Sequence, residues 1–223
     1  LDVLRQEYIS DSGYVLPVDT KFIDSACHYT QDIYDLTMRL SKERVFAIRG
    51  HSKPGMPIIP SRPSPAHYTD KGTNIKTKAL VWTLGTDTAK DQIFSRLKKV
   101  SGSGAIHFSK DLPDSYFEGV AESEARVQEV FRGRKKSVWR PIKRGPANEP
   151  LDLMVYNLAA AYKIGLNRYT QSHWDLLEKR CNMSIVEDNP IKTIEKKTNP
   201  SNNTLSRGKG LMRSMRGRSG RNR

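Results

Sequence analysis

Residues 79–100, ALVWTLGTDTAKDQIFSRLKKV, change their periodicity halfway. The run 79–84 is apolar and rich in β-branched and aromatic side chains, the pattern of a buried strand. Beyond Thr88, Ile93, Phe94 and Leu97 recur at helical spacing among charged residues. Between them, Gly85, Thr86 and Asp87 supply the chemistry of a helix N-cap. A strand over 79–87 feeding a helix over 88–100 is the signature of an α/β unit.

The same alternation extends outward. Upstream, residues 2–10 read as a short helix. TKFIDSACH (20–28) reads as a buried strand with Asp24 at its exit. TQDIYDLTMRLSKE (30–43) reads as a helix capped by Thr30, and RVFAIRG (44–50) as a strand. Residues 51–78 carry so many prolines that a long loop without regular elements is expected there. Downstream, the pattern predicts a strand at 104–109, a helix over 114–133 and a strand at 137–142. Asn148 then opens a helix with Pro150 in its first turn, where a missing N–H costs little. A last short helix covers 171–180. The expected fold is α/β, a mixed sheet flanked by helices. It spans residues 1–181, and a basic, disordered tail follows from 182 to 223.

Composition narrows the partners. The chain of 223 residues has a formal charge of +14. Nine Lys/Arg and no Asp/Glu fall in 196–223, yet the rest of the chain is basic too. Such a chain meets a polyanion, with nucleic acid the default. No apolar run approaches the ~18 residues of a bilayer span, and no basic amphipathic helix speaks for a membrane surface. Two cysteines, Cys27 and Cys181, are too few for a disulfide framework or a zinc cluster, and fit a reducing compartment. The phosphate-loop spacing G-x-x-x-x-G-K-[ST] is absent, so no ATP site is expected within the chain.

Candidate chemistry lies in acids set amid this positive charge. Glu149 and Asp152, three apart, share one face of a helix start. Acids there also complement the helix dipole, which is reason enough for their presence. Asp24 stands where sites collect in open α/β sheets, at the carboxyl end of a strand; an Asx-turn is its plainer role. Brought together, such carboxylates would suit Mg²⁺ or Mn²⁺, and two such ions can clamp the attacking and leaving oxygens of a phosphodiester. Lys90, near a helix start, could reach a phosphate or be an ordinary surface lysine. Arg132, Arg134, Lys135, Lys136, Arg140, Lys143 and Arg144 surround Trp139 without an intervening acid. They are either a solvated charge run or a nucleic-acid contact. His107 in AIHFS reads as a core or edge histidine.

The motifs RVFAIRGHSKPGMPI, LGTDTAKDQIFSRL, GAIHF, GRKKSVW and NEPLDLMVYNLAAA occur in this order. In that order they resemble the nuclease domain of lambda-type phage terminase large subunits, the GpA family, over roughly residues 1–180. The resemblance implies an RNase H-like fold and a metal-dependent endonuclease that cuts concatemeric viral DNA during packaging in the host cytoplasm. It implies double-stranded viral DNA, a small terminase subunit and the portal of the procapsid as partners, and no membrane. It assigns Asp24 as an acidic ligand, with Ala26 where the family favours glycine. It places Asn148, Glu149, Leu151 and Asp152 on the NExLD helix start, Glu149 ahead of Asp152 as ligand, and Lys90 on the lysine of the TAK motif. The family's first acidic residue rides on a strand that, with two more, is expected to precede residue 1. The isolated chain is therefore expected to be weakly active or inactive. Two rival expectations remain: a non-catalytic DNA-binding packaging adaptor, and a basic RNA-associated protein that would prefer RNA over duplex DNA.

Overall fold

The computed structural model describes residues 2–70, 73–131 and 133–182, all within one compact unit, Leu1–Ile185. The strand and helix elements, in chain order, are β1 (Glu7–Ile9), β2 (Val15–Pro17), β3 (Lys21–Asp24), α1 (Thr30–Arg39), β4 (Val45–His51), β5 (Ser64–Asp70), β6 (Thr73–Gly85), α2 (Thr86–Leu97), α3 (Asp114–Ala121), β7 (Glu124–Phe131), β8 (Arg134–Pro141), α4 (Glu149–Ile164) and α5 (Gln171–Asn182). The expected tail from 182 onward lies almost wholly outside the described residues, as does Arg132.

The central sheet has the order β3-β4-β6-β5. β3, β4 and β6 run parallel, and β5 is antiparallel to β6, so the sheet is mixed as expected. Period-two alternation divides its side chains between two cores. On one face Ile48 and Leu84 join Ala89 and Ile93 of α2 and Val155 and Ala159 of α4 in a buried cluster. On the other, Ala47, Ala66, Ala79 and Val81 pack with Tyr34 of α1. Helices thus cover both faces, as parallel strands require.

Several elements differ from expectation. Residues 2–10 are not one helix but a 3-10 turn, Asp2–Arg5, followed by β1. Thr30 does not cap α1 from outside; it is the first helical residue, and its hydroxyl donates to the Ser25 and Cys27 carbonyls. The region 51–78 holds all of β5 and the first part of β6. Pro65 is tolerated because β5 is the outermost strand and the register shifts between Pro65 and His67. No strand forms at 104–109, and His107 is exposed. The expected helix over 114–133 stops at Ala121, after which β7 and β8 pair as a two-stranded antiparallel ribbon from Glu124↔Pro141 to Phe131↔Arg134.

Candidate active site

β4 and β6 end in register at His51 and Gly85, while β3 ends at Asp24, level with Ile48 of β4. β6 passes straight into α2, so Lys90 lies in the second turn beyond the sheet. α4 begins at Glu149 and lays its buried stripe, Leu151, Val155 and Ala159, into the core. That stripe fixes the rotation of the helix, and with it the directions of Asp152 and Tyr156.

Asp24 and α4 meet through a hydrogen bond: the Tyr156 hydroxyl donates to Asp24 Oδ2 at 2.8 Å. The Ala26 N–H donates to Asp24 Oδ1 at 2.9 Å, so the Asx-turn is present as well. Below the turn, Ser25 is fully buried and gives both its N–H (2.9 Å) and its hydroxyl (2.7 Å) to the Ile48 carbonyl. Those bonds tie the strand exit to β4. Tyr156 and Asp152 are four apart on α4, so they stand on one helix face. Burial, followed by the bond to Asp24, pushes the Tyr156 phenol well above its ordinary range, so it remains a hydrogen-bond donor.

Asp152 belongs to a second, deeper network. The Lys90 ammonium is 2.7 Å from Glu124 Oε1 and 3.5 Å from Asp152 Oδ1. The Asn148 amide donates to Glu124 Oε1 and to Asp152 Oδ2, both at 3.0 Å. Lys90 and Glu124 are each only 6% exposed, which makes their pairing obligatory. Burial raises the Asp152 carboxyl above the usual carboxylate range. Lys90 opposes the rise, while Glu124 and Asp24 add to it. Asp24, Glu124 and Asp152 are therefore one electrostatic cluster with a single ammonium among them.

Asp24 and Asp152 of the expected acids are thus brought to one place. Glu149 is exposed and makes no hydrogen bond or ion pair among the described residues. Lys90 is inside the molecule rather than on a DNA-facing surface. Asn148 uses its amide to join two carboxylates and makes no side-chain cap. Glu124 and Tyr156 were not singled out from sequence. A glutamate opening an alternating segment and a tyrosine amid the apolar residues of a helix carry no local mark of a site.

The basic run is spread over both sides of the ribbon. Cross-strand partners share a face, and the faces alternate along each strand. Lys135 therefore lies with Arg126 and Trp139, and Arg134, Lys136 and Arg140 lie on the other side. Arg140 is paired with Glu129 at 2.6 Å, which holds the Glu129 carboxyl below its ordinary range. Lys143 and Arg144 are exposed in the turn after β8, and Arg144 has φ 58°.

As for metals, two carboxylates offer hard oxygen donors, and a cation would offset the burial, and the lesser repulsion from Glu124 and Asp24, that lifts Asp152. Among the described residues, however, no group of three or more His, Cys, Asp or Glu side chains converges closely enough to hold an ion by itself. The donor set accordingly fits a share of one divalent ion.

Asp24 at a strand exit, Glu124 at the start of the ribbon and Asp152 at the start of α4, with Lys90 among them, define an α/β protein with a candidate acidic site. The family model for the terminase large subunit gpA endonuclease domain matches residues 1–174, and the chain belongs to that family. It is 31% identical over 172 residues to the terminase large subunit of Escherichia phage lambda, a match covering 74% of this chain and 24% of that protein. The chain therefore spans about a quarter of that relative's length. No solved structure matches it. Among the described residues no helix is long and apolar enough to cross a membrane.

Proposed function

We propose that this chain is a divalent-metal-dependent DNA endonuclease on an RNase H-like sheet, serving to cut concatemeric viral DNA during genome packaging. The observation that carries the reading is the junction of Asp24 with α4 through Tyr156, which sets Asp24 and Asp152 on one side of the sheet end. Asp24 and Asp152 would hold Mg²⁺ or Mn²⁺, with Glu149 at the margin. A bound ion supplies Lewis acidity and an activated water for attack on phosphorus. A two-ion site needs further carboxylates besides these. Tyr156 orients Asp24, and Asn148 orients Asp152. Lys90 screens Asp152 while Glu124 retains the ammonium. Arg134, Lys135, Lys136, Lys143 and Arg144 hold the DNA backbone. The partners are double-stranded viral DNA, the small terminase subunit and the procapsid portal, in the host cytoplasm.

The ammonium already seated against Asp152 favours one rival, a DNA-binding packaging adaptor without catalysis. Manganese titration followed by electron paramagnetic resonance, run beside plasmid nicking, separates the two. The nuclease reading expects Mn²⁺ binding and Mn²⁺-dependent nicking that is weak but measurable in this chain. Asp24→Asn and Asp152→Asn should each lose at least about tenfold in both, while Glu149→Gln stays near wild type. Salt-sensitive DNA binding with neither Mn²⁺ uptake nor nicking establishes the adaptor.

A further inference from the structure

Lys90 and Ile93 of α2 point toward α4 and the core, but the next stripe round the helix faces the ribbon. Asp91, Phe94, Ser95 and Lys98 from that stripe, with Arg126 of β7 and Trp139 of β8, line a cavity of about 330 Å³. The ring centroids of Phe94 and Trp139 are 4.6 Å apart and their planes inclined by 33°. The Arg126 guanidinium carbon is 5.9 Å from the Trp139 ring centre. The Trp139 indole N–H donates to Asp91 Oδ1 at 3.0 Å, and Arg126 pairs with the same oxygen. Trp139, Asp91 and Arg126 thus fix one another and make a rigid wall. Phe94 is half-exposed on that wall, and Ser95 and Lys98 are exposed at the rim. Lys98 has no ion pair or side-chain hydrogen bond among the described residues.

We propose that this cavity takes one unpaired nucleobase of a DNA strand, stacked on Phe94, with Lys98 on the adjoining phosphate. The inference rests on the DNA-binding half of the function proposed above. An aromatic face with cations at its edge matches a nucleotide, which is a flat π-surface joined to an anion. The Asp91 carboxylate is already neutralised by Arg126, so it does not repel the phosphate. A base still stacked in a duplex cannot reach Phe94, so the site selects a strand that is frayed or opened. Its location is apt: Asp91 follows Lys90 on α2, and Arg126 is two residues beyond Glu124 on β7. The cavity and the Lys90–Glu124 pair therefore share α2 and β7. Lys135, further along the Trp139 face of the ribbon, extends the cationic track outward.

The experiment uses the full chain in chelator, so that binding is measured without cutting. The probe is a short single-stranded oligonucleotide carrying 5-iodouracil, with its blunt duplex as comparison. The expected result is a photocrosslink at Phe94 or Trp139. Phe94→Leu keeps apolar volume but loses the ring face, and should weaken single-strand binding roughly tenfold with duplex binding unchanged. Lys98→Glu, at an exposed position, should weaken it several-fold with an unchanged melting curve. Crosslinks confined to other residues, or both variants binding the single strand like wild type, overturn the proposal. Normal duplex binding with that outcome removes this inference alone, and binding to neither DNA removes the DNA-binding reading with it. A crosslink at Phe94 in a chain that never cuts DNA upholds the pocket while the nuclease reading falls.

Discussion

Lys90 is one buried cation among three carboxylates, with 2.7 Å to Glu124 and 3.5 Å to Asp152. Removing it strands charges that burial does not tolerate, so Lys90→Met should cost about 3–5 kcal/mol in urea unfolding. Combining it with Glu124→Gln should recover a large part of that loss, because the two positions are coupled. Asp87 shows the opposite sign. It is 4% exposed, its Oδ2 has no partner among the described residues, and burial lifts its carboxyl above the ordinary value of 3.8 despite the Trp139 backbone N–H. A carboxyl raised in the fold binds its proton more tightly there than in the unfolded chain. Stability is then lost as pH rises from 3.8 through the raised value, and stays lost above it. Asp87→Asn should accordingly melt higher than wild type at neutral pH, and the difference should close as the pH falls below the usual carboxylate range. At this scale the positions of Asp24 and Asp152 were legible, a strand exit and a helix start, where acids recur for stated reasons. Glu124 was not, because its role depends on a lysine 34 residues away in sequence.

Among the elements, α4 carries Asp152 and Tyr156, and its seating depends on α3. Gly119 of α3 lies so close to the start of α4 that an added Cβ would meet Pro150 Cγ at 2.6 Å and the Ala147 carbonyl at 3.0 Å. Gly119→Ala should therefore lower stability by about 1–3 kcal/mol, read as a fall in melting temperature, by forcing the two helices apart. The strand-to-helix passage at 79–97 was legible because its period changes within one continuous segment. The ribbon was hidden by the same criterion: the apolar positions Val120, Val127, Val130 and Phe131 in 114–133 also satisfy a helical spacing. Pairing with β8 decides the matter, and that partner is visible only once the chain has folded back. In 51–78 proline density outweighed strand propensity, although an outermost strand tolerates proline.

For the whole molecule the governing quantity is charge. The chain carries +14, and the ribbon contributes Arg134, Lys135 and Lys136 without an ion pair to occupy them among the described residues. Replacing all three with Gln should flatten the dependence of log K on log salt for duplex DNA by up to about 3, measured by fluorescence anisotropy. The family was readable from separated motifs in order, whereas the convergence of its acids was a matter of tertiary structure. The ammonium lodged between Glu124 and Asp152 has one more effect. The acidic cluster carries its own counter-ion in Lys90, so folding is not expected to depend on a metal, and chelator should leave the melting temperature where it was. A divalent ion held by Asp24 and Asp152 would have to share Asp152 with a tethered ammonium that Glu124 keeps in place at 2.7 Å.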